Sequence, residues 1–180
     1  MKFIVIPIVL AGLAAGAFST TEDPPAPEVD RVGFPKDYRK EFQVLRRVDR
    51  AEKQQVVTVY GNEKAASIER ADELPYPYGS VIVMETASIL KDAQGKPRLD
   101  DGGHYRAGEV AGLHVMRREK GFGEAYGKNR TGEWEYVEYR ADGTYITPPR
   151  RSFACAECHT KAGPGRDFVY RGRFPERKGE

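Results

Sequence analysis

Glu133-Trp134-Glu135-Tyr136-Val137-Glu138-Tyr139 and Thr144-Tyr145-Ile146-Thr147 flank Asp142-Gly143. Asp-Gly between two aromatic and β-branched runs is the strongest short-range hairpin signal in the chain, and a turn that tight forces antiparallel pairing. Working back from it, residues 109–116 read as a strand, in which Gly112, His114 and Met116 share one face and Leu113 and Val115 the other. The turn chemistry of Pro75-Tyr76-Pro77-Tyr78-Gly79 precedes a buried strand over Ser80–Thr86, and Val56–Tyr60 is a β-branched run closed by Gly61. Asn62 can cap a short helix containing Ala65, Ala66 and Ile68. Phe34, Tyr38, Phe42 and Leu45 recur at three- and four-residue steps, with Asp37 early and Arg46 and Arg47 late, which predicts an amphipathic helix. Several strands, a few flanking helices and no alternation of strand with helix give an α+β fold around an antiparallel sheet.

Downstream of the hairpin, Pro148-Pro149-Arg150-Arg151 leads into Cys155-Ala156-Glu157-Cys158-His159, expected to open a short helix. Two thiols three positions apart, with an imidazole next to the second, form the pattern of c-type haem attachment. The thiols can add to the two vinyl groups on one edge of a porphyrin only if they lie close together. In this reading Cys155 and Cys158 carry one covalent haem c, and His159 is the metal residue, the proximal ligand of its iron. Two other readings compete. A Cys2His2 zinc site would have to recruit His104 and His114 at an odd spacing, and an iron-free CxxC could close a short disulfide or act as a dithiol. Beyond the motif, Gly163-Pro164-Gly165 turns, and Arg166–Tyr170 is expected to return as an edge strand.

The ends of the chain set its context. Met1-Lys2, the apolar run from Phe3 to Leu13 and the small residues up to Ala17 have the parts of a cleaved secretory signal peptide over residues 1–17, implying export to the periplasm without a stable membrane anchor. Residues 18–32, with Pro24, Pro25 and Pro27 among acidic side chains, are expected to form a disordered tether, leaving one haem domain over 33–180. With 39% hydrophobic and 31% charged residues the composition is globular, and a formal charge of +2 gives no reason to expect a nucleic-acid partner.

The order of Tyr-Gly-Ser-Val-Ile-Val-Met-Glu (78–85), Gly-Leu-His-Val-Met-Arg (112–117), Gly-Glu-Trp-Glu-Tyr (132–136), CxxCH and Arg-Asp-Phe-Val-Tyr (166–170) resembles the cytochrome P-460 family. The resemblance implies a sheet-rich mono-haem domain, often a homodimer, whose iron is five-coordinate with an open distal side. Members oxidise hydroxylamine or handle nitric oxide, and the related cytochromes c′-beta bind nitric oxide and carbon monoxide. The hydroxylamine-oxidising members cross-link a lysine to the porphyrin just before the glutamate of this strand. Here that position is Met84, whose thioether cannot form the bond. The expected haem is therefore not cross-linked, and Met84 contacts its edge, serves as a sixth ligand or simply fills the core; Met116 shares that ambiguity. The family's distal acid would fall at His114, and imidazole can carry protons near neutral pH. Glu85, beside a buried strand, is expected to pair with an arginine. Arg166, or Arg150 or Arg151, all close in sequence to the CxxCH motif, could hold a propionate. The expected activity is binding or redox transformation of a small nitrogen species, with an external cytochrome taking the electrons. The alternative is a non-enzymatic electron-transfer or gas-binding cytochrome.

Overall fold

The computed structural model describes residues 24–171, so the leader-like residues 1–17 and the last nine positions lie outside the described residues. A short helix α1 (Tyr38–Glu41) precedes β1 (Gln43–Arg50) and β2 (Gln55–Gly61). The one-turn helix α2 (Glu63–Ala66) and a long connection lead to β3 (Val81–Ile89), β4 (Ala107–Arg118), β5 (Trp134–Tyr139) and β6 (Tyr145–Thr147), and α3 (Phe153–Thr160) follows. All six strands form one antiparallel meander in which each pairs with its neighbour in sequence, in the order β1-β2-β3-β4-β5-β6. The expected α+β class, the Asp142-Gly143 hairpin and the strands over 56–60, 80–86 and 109–116 are all present.

Period-two alternation gives the sheet two buried faces. Val83, Leu113, Val115, Val137 and Tyr139 pack on one, with Val32 and Tyr38. Val59, Ile82, Met116, Trp134 and Tyr136 pack on the other, against Tyr76, Tyr126, Ala156 and Val169. Asn62 caps α2 as expected: its Oδ1 accepts from the Ala65 N–H at 3.0 Å and the Val81 N–H at 3.0 Å, and its Nδ2 donates to the Gly79 carbonyl at 2.8 Å. An Asn62→Ala variant therefore loses a cap and a cross-link between α2 and β3. It is expected to be destabilised by about 1–2 kcal/mol in urea denaturation.

The sequence expectations need three corrections. The amphipathic helix over Phe34–Arg47 is not formed; its last third is β1, and only Tyr38–Glu41 is helical. The three- and four-residue spacing is local, whereas β1 is decided by pairing with β2, with a bulge between Val44 and Arg46. Leu45 packs toward the cluster of Trp134, and Phe42 toward that of Tyr139. Second, residues 24–32 are not a free tether. Val32 is 3% exposed, Ala26 packs on the core, and Asp30 Oδ2 accepts from the Tyr139 hydroxyl at 2.6 Å and the Tyr145 hydroxyl at 3.0 Å. Arg31 forms a bidentate pair with buried Glu135 and stacks over Phe122, its guanidinium carbon 4.4 Å from the ring centre. These few contacts reach about 90 to 115 residues along the chain and overcome a composition that favours disorder. Third, Arg166–Tyr170 makes no strand. Pro164–Arg166 is a 3-10 turn, and Asp167 and Phe168 follow it with left-handed backbone.

Candidate haem-binding site

Across the sheet, Val59, Met84, His114, Glu138 and Thr147 stand opposite one another in successive registers from β2 to β6. Next to this row runs a second, Ile82, Met116 and Tyr136. Both rows line one cavity of about 630 Å³, whose other wall is Cys155, Cys158 and His159 of α3 with Val169 and Tyr170. The predicted face of β4 is the one that holds, since His114 and Met116 look into the cavity while Leu113 and Val115 belong to the opposite core.

The opposing wall is built locally. Pro148 and Pro149 stop β6 and start a 3-10 turn. Ser152, fully buried, then donates to the Pro149 carbonyl at 2.6 Å and bonds the Tyr126 hydroxyl at 2.8 Å, fixing where α3 begins. On α3, positions 155, 158 and 159 are one turn apart and share a helix face. Cys155 is half-buried and Cys158 exposed, both as free thiols, and burial pushes the Cys155 thiol up to about 11. His159 Nδ1 lies 2.7 Å from the Phe168 carbonyl. A carbonyl can only accept, so the proton is on Nδ1, and Nε2 keeps its lone pair for a metal. Burial holds the imidazole below its ordinary value, and thus neutral. Its ring is clasped between Tyr136, with centroids 4.5 Å apart, and Tyr170 at 5.4 Å.

Opposite it, His114 Nε2 is 3.1 Å from Glu138 Oε1, and Thr147 Oγ1 donates to Glu138 Oε2 at 2.8 Å. Glu138, Thr147 and the Phe168 carbonyl were not anticipated from sequence. Glu138 has the same strand parity as Trp134 and Tyr136, which is the signal that could have found it; a backbone carbonyl carries none. Met84 sits beside His114 on the cavity wall, partly buried and packed on the same core. Arg166 does not line the cavity, whereas Arg151 does. Glu85 lies on the opposite face and accepts from the Tyr38 hydroxyl and from Arg39 Nε at 2.7 Å, the arginine pairing expected of it. His104 is on a distant loop against Asp49, so a zinc set with His114 and the two cysteines is not gathered among the described residues.

The cavity suits a porphyrin. Val59, Ile82, Met116 and Val169 offer an apolar slot within the ~300–1,000 Å³ typical of cofactor sites, while two thiols and a neutral imidazole with one free nitrogen face it from a single helix. The family model for cytochrome P460 matches residues 35–171. No curated protein matches this sequence. That match covers nearly all of the described chain and includes both sheet faces and the CxxCH helix, so the cofactor is haem c with its iron. The protein is a haem c cytochrome, and its chain belongs to the cytochrome P460 family.

Proposed function

We propose that this cytochrome is exported, that Cys155 and Cys158 would hold its haem as thioethers with His159 Nε2 free to bind the iron, and that it binds or oxidises a small nitrogen species on the sheet side of the cavity. The observation that carries the reading is the row Met84-His114-Glu138-Thr147, which puts a protonatable pair across the cavity from His159. When bound, the haem supplies a coordination site for nitric oxide or hydroxylamine and a centre that takes up electrons. The chain supplies the rest. With Nε2 turned to Glu138, the Nδ1 of His114 is the ring nitrogen left to take a proton from a substrate N–H or O–H. Glu138 stabilises the imidazolium that results, and Thr147 fixes the carboxylate. Met84 keeps this side apolar and, having no amine, leaves the porphyrin without a cross-link. Arg151 is the basic side chain placed to meet a propionate. Oxidation would need an external redox cytochrome to take up the electrons.

Met84 on the same wall supports a rival reading, in which its sulphur is a sixth ligand and the protein only transfers electrons. Absorption spectra of the oxidised and reduced holoprotein, before and after nitric oxide, separate the two. A high-spin five-coordinate spectrum that changes on gas uptake is expected; a low-spin spectrum indifferent to the gas would refute the open site. Turnover of hydroxylamine with an artificial acceptor is expected to fall about 100-fold or more in His114→Ala, the scale of a lost general base. Unchanged turnover would remove His114 from the mechanism.

A further inference from the structure

The segment Arg-Asp-Phe-Val-Tyr (166–170) lines the cavity with Val169 and Tyr170 and brings the Phe168 carbonyl to His159, while Asp167 lies outside the cavity lining. Its backbone is unusual. Asp167 has φ +46° and Phe168 φ +59°, two consecutive side-chain-bearing residues in the left-handed region. Asp tolerates that region through local hydrogen bonds, but for a bulky residue such as Phe it is strained and has to be held. Such strain persists where the surroundings over-determine it, often at a site that uses it.

The restraints are visible. Phe168 N–H donates to the Gly163 carbonyl at 3.0 Å and Asp167 N–H to that of Pro164 at 2.9 Å. The Asp167 side chain, 6% exposed, accepts from the Tyr76 N–H at 3.0 Å, and Arg118 Nε lies 3.5 Å from the same Oδ2. Arg118 is itself fixed by the Tyr76 carbonyl, by Glu133 at 3.5 Å and by stacking on the Tyr78 ring at 4.7 Å. A buried charge network therefore ties the 167–168 turn to the 76–79 turn and to the ends of β4 and β5. The free end of that turn is the Phe168 carbonyl, 2.7 Å from His159 Nδ1. Burial raises the Asp167 carboxyl above its usual range, with Arg118 and the Tyr76 N–H opposing the rise.

We propose that Asp167 is a positioning residue for the haem's axial ligand: its carboxylate, clamped by Tyr76 and Arg118, holds the left-handed turn that delivers the Phe168 carbonyl to His159 Nδ1. The acceptor on Nδ1 fixes the tautomer and ring orientation and raises the donor strength of Nε2, and ligand donor strength is one of the protein's means of setting a haem potential. The inference rests on His159 being the axial ligand.

The test uses holoprotein made in a host competent for cytochrome maturation, with resonance Raman of the ferrous form and a redox titration. In Asp167→Ala the iron–histidine stretching band is expected to move to lower frequency and the midpoint potential to become more positive. Asp167→Asn, which tolerates left-handed backbone and keeps an acceptor for Tyr76, is expected to restore most of both. Should Asp167→Ala not accumulate, Arg118→Gln releases the clamp from the other side and is expected to shift both readouts in the same direction. Tyr38→Phe, on the opposite face beside Glu85, serves as the control that loosens the fold without touching the turn. An unchanged band and potential in the Asp167 and Arg118 variants, or an equal shift in the Tyr38 control, overturns the proposal. A parent protein with no iron–histidine band would instead refute the assignment of His159, and the inference with it.

Discussion

A double Cys155→Ala, Cys158→Ala variant is expected to retain no haem through denaturation, while each single variant keeps a fraction through one remaining thioether. The chain has only these two cysteines, so no other thiol can substitute. They are also unequally placed. Cys155 is half-buried, which raises its thiol to about 11, whereas Cys158 is exposed. Cys158→Ala is therefore expected to leave a haem held at the inner sulphur, and Cys155→Ala one held only at the rim and more readily lost. Mass spectrometry of the peptide spanning both positions checks this. Undiminished haem mass on the double variant would end the assignment of the cavity.

Trp134→Ala is expected to be the most destabilising single change in the sheet. The indole is fully buried, meets Tyr76 edge to face with ring centres 5.6 Å apart, and shares its cluster with Tyr126, Tyr136 and Ala156 of the haem helix. Removing it costs about 3–5 kcal/mol, transfer and cavity together. Set against a total stability of roughly 5–15 kcal/mol, that is enough to unfold a substantial part of an apoprotein at the low end of the range. Urea midpoints of apo and holo forms measure it. A loss below about 1 kcal/mol would mean that the core collapses around the gap far better than large-to-small substitutions ordinarily allow.

Much of this architecture is legible in the sequence because much of it is local. Asp142-Gly143 specifies its hairpin within a few residues, and the parity of His114 and Met116 against Leu113 and Val115 sorts β4 into its two faces without knowledge of any partner. What escaped is non-local. Phe34, Tyr38, Phe42 and Leu45 carry a helical spacing, but the ladder to β2 decides that segment. Residues 24–32 have the composition of a linker, and partners far along the chain, among them Tyr139, Tyr145 and Glu135, order them. The CxxCH motif announced three residues that line the cavity. Glu138 became visible only once β4 and β5 were in register, and Arg151 lines the cavity while Arg166, in the 3-10 turn Pro164–Arg166, does not.

In the meander, no strand waits for a partner made much later. Each new strand can dock on the one before it, and no closure has to span more than the connection between two consecutive strands. The haem-bearing helix comes after all six. Such connectivity lets the sheet assemble as a platform before α3, the last helix in the described chain, packs against it.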